Sequence, residues 1–92
     1  MHNPAHPGEV LREWIPEGMT VTTAAEALQV SRVTLSKVLN GKSGVTAGMA
    51  LRLAARLGTT PDFWLGMQIQ WDLWQAKQGP TPKIRPLAKL AA

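Results

Sequence analysis

The stretch that most constrains this 92-residue chain is Thr22 to Lys42, TTAAEALQVSRVTLSKVLNGK. Its periodicity predicts two short helices joined by a tight turn. In the first, Thr23 and Glu26 have the spacing of a capping box, just ahead of Ala27 and Leu28. The second opens at Ser31, whose hydroxyl can accept from a free N–H of the first turn. It closes at Asn40-Gly41, where glycine supplies the left-handed residue that ends many helices. Leu35, Val38 and Leu39 recur at helical spacing, so one face turns inward.

The other face carries Arg32, Thr34, Ser36, Lys37 and Asn40, all donors for phosphates or base edges, and no acid lies between Ser31 and Lys42. The charge pattern along the chain supports this. Net charge is +4, but residues 1–30 set Arg12 against Glu9, Glu13, Glu17 and Glu26. Residues 31–57 hold Arg32, Lys37, Lys42, Arg52 and Arg56 with no acid, and residues 58–92 hold Lys77, Lys83, Arg85 and Lys89 against Asp62 and Asp72. A basic run is usually only a solvated face; one that begins on such a helix favours nucleic acid. The pattern is that of a helix-turn-helix whose second helix enters the DNA major groove.

Ninety-two residues allow one small domain with a single core. The absence of cysteine excludes disulfides and thiolate metal sites. No apolar run approaches the roughly 20 residues that span a bilayer, and the start, MHNPAHPGE, lacks the basic and apolar regions of a secretion signal. The expectation is a soluble cytoplasmic protein.

Before the motif, Pro7 suits the first position of a helix, with Val10, Leu11 and Trp14 on its buried side and Pro16 with Gly18 at its end. After it, Thr46 caps a fourth helix running to Leu57, with Met49, Ala50, Leu53, Ala54 and Leu57 inward, Arg52 and Arg56 outward, and Gly58 as the stop. A fifth helix opens at Thr60-Pro61-Asp62 and continues to about Lys77, before Gly79-Pro80. Its apolar residues occupy more than one face, wider than the stripe one core requires. Phe63, Trp64, Met67, Trp71 and Trp74 are therefore assigned to a homodimer interface. Residues 1–78 form the domain, with the motif at 22–42, its second helix at about 31–40 and the long last helix at about 61–77. Residues 79–92 are a proline-rich basic tail, for which Ile84, Leu87 and Leu90 are the expected contacts.

The helix order resembles the all-α, five-helix Cro/C1-like (lambda repressor-like) domain. The match narrows with His6-Pro7-Gly8-Glu9, Leu39-Asn40-Gly41-Lys42, Met49-Ala50-Leu51-Arg52-Leu53, Pro61-Asp62-Phe63-Trp64-Leu65 and Trp71-Asp72-Leu73-Trp74, which resemble the HigA branch of bacterial antitoxins. That resemblance implies a dimeric antitoxin that binds double-stranded operator DNA, neutralises a RelE/HigB-like mRNA endonuclease toxin and represses their shared operon. On the phage-repressor pattern the base-reading positions are Arg32, Val33 and Lys37. Thr22, Thr34, Ser36 and Asn40 are phosphate or supporting contacts, and Ser31 and Lys42 complete the expected DNA face. Three features depart from the pattern. Gln29 stands where the turn normally has glycine, and Ala47-Gly48 where Pro-Glu commonly follows the fourth cap. Val33 cannot hydrogen-bond a base but offers only apolar contact, for example with a thymine methyl, which leaves much specificity to Arg32 and Lys37.

An enzyme reading would start from His2, His6, Glu9 and Glu13, but there is no phosphate loop and no nucleophile with a paired base, and the sequence reads as non-enzymatic, without cofactor or metal. A stand-alone transcriptional regulator without a toxin, or an interaction module that no longer binds DNA, would share the same helices. For the toxin, the acidic first helix (Glu9, Glu13, Glu17) is the expected contact, because RNA-cutting toxins are usually basic. The tail is the alternative.

Overall fold

The computed structural model describes residues 3–87. Five helices run in order: α1 (Pro7–Trp14), α2 (Val21–Leu28), α3 (Arg32–Leu39), α4 (Ala47–Leu57) and α5 (Pro61–Gln78), and the described residues contain no strand. This is the five-helix Cro/C1-like order expected. None of the helices is long and apolar enough to cross a membrane.

Each helix is started by a side chain that accepts from an otherwise unpaired N–H. Ser31, Thr46 and Thr60 accept from Thr34, Met49 and Phe63 at 3.0, 3.2 and 3.2 Å, as their positions predict. α2 differs from its expected start. Its cap is Thr20, whose Oγ1 accepts from the N–H of Thr23 at 3.1 Å, so the Thr23–Glu26 capping box does not form. With threonine at 20, 22 and 23, several registers offer a hydroxyl, and packing of Ala24, Ala25 and Leu28 selects this one. α1 is capped by His6, whose Nδ1 accepts from Gly8 N–H at 2.9 Å.

The core joins all five helices through Leu11, Ala24, Ala25, Leu28, Leu35, Val38, Leu39, Met49, Ala50, Leu53 and Trp64, with Val45 from the loop before α4. α1 and α2 pack on α3, α2 also meets α4, and α5 packs on α4 and touches α1. Trp14, expected inside, is 41% exposed, edge-on to Trp64 with the ring centres 6.3 Å apart.

Trp64 requires the opposite correction. Assigned to a dimer face, it is completely buried within its own chain, and its indole N–H donates to Thr59 Oγ1 at 2.7 Å. It lies one helical turn before Gln68, and both point into the domain. Gln68 ties α5 to the loop before α4, accepting from Val45 N–H at 2.8 Å and donating to Asp72 at 2.9 Å. Met67 packs against the core, and half-buried Trp71 sits edge-on to His6 at 5.2 Å, with Trp74 5.3 Å beyond it. The outward side of α5 instead carries Ile69 and Leu73, one turn apart and 59% and 55% exposed, with Phe63 at 43%. The tail also departs from expectation: Ile84 and Leu87 are 80% and 74% exposed and are not part of the core formed by the described residues, while Leu90 lies outside the described residues.

Candidate nucleic-acid interface

Leu35, Val38 and Leu39 are almost fully buried, which fixes the rotation of α3 about its axis. Arg32, Val33, Thr34 and Lys37 are thereby turned to solvent, Val33 being 58% exposed. A valine left this open contributes nothing to the core, yet it can meet a thymine methyl. Flanking it are a guanidinium and an ammonium within one helical turn. Thr22, exposed near the start of α2, and Lys42, exposed in the turn after α3, flank this face in sequence. Of the expected DNA-face residues, only Ser36 is partly covered.

The remaining polar residues of the face are engaged within the chain. Ser31 Oγ accepts from Thr34 N–H and donates to Thr34 Oγ1 at 2.8 Å. Asn40 donates from Nδ2 to the carbonyl and hydroxyl oxygens of Ser36 at 2.9 and 3.2 Å. Its Oδ1 accepts from Arg12 Nη2 at 2.7 Å. Ser31, Ser36 and Asn40 therefore hold the helix ends in shape, whereas Arg32, Val33 and Lys37 have their side chains turned outward.

Gln29 takes the left-handed conformation, with φ 59° and ψ 42°. Its N–H donates to Glu26 and that of Val30 to Ala25, at 3.1 and 3.0 Å, so the turn keeps the paired bonds of a glycine-ended helix. The helix is not displaced; the strain is borne at one residue. Arg52 of α4 lies across this turn, its Nη1 3.3 Å from Leu28 O and 3.2 Å from Gln29 O. Neither Arg12 nor Arg52 was among the expected site residues. Each meets the motif across more than twenty residues of chain, a pairing that no local periodicity reveals.

Glu9 and Glu13 are exposed one turn apart on α1, and Glu17 is exposed in the turn beyond. Arg12 projects between the first two, toward α3. An apolar groove lined by Leu11, Trp14, Ile15, Met19 and Leu57, with Arg56 at its wall, runs between α1, α2 and α4. His6, the one described residue of the histidine pair, has its Nδ1 committed to the α1 cap; His2 lies outside the described residues. Among the described residues no three His, Asp or Glu side chains converge as a metal site would require.

The pattern of the helix-turn-helix family matches residues 11–64. Antitoxin HigA-1 of Vibrio cholerae serotype O1 is 45% identical over 89 residues, spanning 91% of this chain and 84% of its own length. Antitoxin GraA, solved in complex with its operator, superposes with a TM-score of 0.74 at 45% identity, covering 85% of this chain and 80% of that one. Pseudomonas aeruginosa antitoxin HigA, solved with the higBA promoter, superposes with a TM-score of 0.76 at 32% identity, over 82% of this chain and 84% of that one.

Proposed function

Because this chain belongs to the HigA antitoxin branch of the helix-turn-helix family, we propose that it is a DNA-binding antitoxin that represses its own operon. The observation that carries this reading is the face of α3. Arg32, Val33 and Lys37 stand outward on a helix whose inner side is locked by Leu35, Val38 and Leu39, and no acid interrupts the basic run from Arg32 to Arg56. A rigid helix with an outward guanidinium and ammonium fits base-edge acceptors of guanine in the major groove. Thr22, Thr34 and Lys42, all exposed, are the phosphate contacts of this reading.

The operator is an inverted repeat read by a dimer. Two-fold symmetry in the protein is mirrored in the DNA, and the two α3 helices lie about 34 Å apart or a multiple of that. The dimer forms through α5, whose outward Ile69 and Leu73, with the open edges of Phe63, Trp71 and Trp74, leave apolar area that water does not favour. A repressor of this kind works in the bacterial cytoplasm, where the operon is, and needs no catalytic group or cofactor.

Its second partner is a RelE/HigB-like toxin. RNA-cutting toxins are usually basic, and Glu9, Glu13 and Glu17 on and after α1 present the opposite charge away from the sequence of α3. Nuclease footprinting on the DNA upstream of its own reading frame, with the protein's mass measured in the same buffer, tests the proposal. Protection of two symmetric half-sites by a dimer is expected. Uniform, sequence-independent retardation by a monomer would overturn it.

A further inference from the structure

We infer that Arg12 and Arg52, which lie outside the motif, are positioning residues for DNA recognition, one bracing each end of α3; this rests on the reading of α3 as the DNA-reading helix. The two side chains do the same thing at opposite ends. Arg52, from α4, spans Leu28 O and Gln29 O at 3.3 and 3.2 Å, across the turn that leads into Ser31 and α3. Arg12, from α1, places Nε 3.1 Å from Leu39 O and Nη2 2.7 Å from Asn40 Oδ1, at the last turn of α3. Asn40 in turn holds Ser36. Arg12 reaches its two acceptors from two nitrogens of one planar fork, which a lysine ammonium cannot match, and Arg52 reaches both of its carbonyls from Nη1, one atom beyond where a lysine Nζ would end.

Both places need a cation for the same reason. The last carbonyls of a helix carry partial negative charge, and those of α2 and α3 flank a surface meant to meet phosphates. The Arg52 bonds fall on the turn whose single left-handed non-glycine residue, Gln29, is strained. A bond to both carbonyls of that turn limits the swing of α3 against α2. Arg56, one turn further along α4 and also exposed, makes none of these bonds and serves as an internal control.

Three substitutions, Arg12→Lys, Arg52→Lys and Arg56→Lys, keep the charge while the first two lose the two-acceptor bridge. Titration is against a duplex from upstream of the gene and a scrambled duplex, over a range of salt. Positioning predicts that Arg12→Lys and Arg52→Lys lower the ratio of specific to scrambled affinity about tenfold, or about 1.4 kcal/mol. The slope of affinity against salt should not change, and Arg56→Lys should match wild type. If the lysine variants bind as wild type while Arg→Ala lowers the salt slope by about one, these are phosphate contacts and the inference is wrong. Lower melting temperature with an unchanged ratio would make them merely structural, which also overturns it.

Hydrogen exchange separates this from the functional reading. With no DNA present, Arg52→Lys should speed exchange of the Gln29 and Val30 amides, and Arg12→Lys those of Asn40 to Ser43. Unchanged protection overturns the brace even if DNA binds. Should wild type itself fail to distinguish the duplexes, the operator reading fails, and the exchange result still decides whether the brace exists.

Discussion

At Gly8 there is no room for a side chain, because a Cβ there would overlap the carbonyl oxygen of Val38 and approach its carbon to 2.9 Å. The first turn of α1 therefore lies directly on the last turn of α3. Gly8→Ala should push the helices apart and cost about 1–3 kcal/mol, read as a lower denaturation midpoint at unchanged slope. Gln29 presents the reverse case. Its left-handed backbone costs about 1–2 kcal/mol, which glycine would relieve at an entropic cost of about half that. Gln29→Gly should stabilise the fold by up to about 1 kcal/mol, and a midpoint shift in the other direction would show that the glutamine side chain supplies a contact. Both residues were visible in the sequence, but only Gln29 stood out, as a departure from an expected glycine. Nothing local distinguishes a glycine needed for close approach from one that merely starts a helix.

Among the elements, the predicted helix starts at Ser31, Thr46 and Thr60 are where the structure has them, because one residue both carries the hydroxyl and precedes the apolar period. The buried face of α3 was equally plain. α5 was the exception, since aromatic residues on every side do not reveal which side the domain claims. The answer came from partners outside the helix: Thr59, just before it, for the Trp64 indole, and, far away in sequence, Val45 for Gln68 and His6 for Trp71. This division makes opposite predictions for residues on one helix. Trp64→Ala should cost about 3–5 kcal/mol, enough to unfold much of so small a domain. Ile69→Glu with Leu73→Glu should keep the helical circular dichroism and yield a monomer by sedimentation equilibrium. A dimer that persists in that double variant would remove α5 as the interface.

At the scale of the molecule, the described chain is elongated, 56 × 24 × 24 Å, and the residues that follow α5 are exposed. Eighteen residues of helix span about 27 Å. On the proposed pairing through α5, two such helices would leave the α3 faces free and at a fixed spacing, as the reading of two half-sites requires. Glu9, Glu13 and Glu17, at and after α1, are exposed acids that lie apart in sequence from α3. Glu9→Lys with Glu13→Lys should release the product of the adjacent reading frame during copurification while leaving DNA affinity within a few-fold. If release instead follows deletion of residues 80–92, the tail is the toxin contact. Whether the outward face of α3 reads base sequence is decided by titrating wild type, Arg32→Ala and Lys37→Ala against operator and scrambled duplexes at one salt concentration. Each substitution should cost about 1–3 kcal/mol on the operator and much less on scrambled DNA. Equal losses on both duplexes, or none, would contradict it.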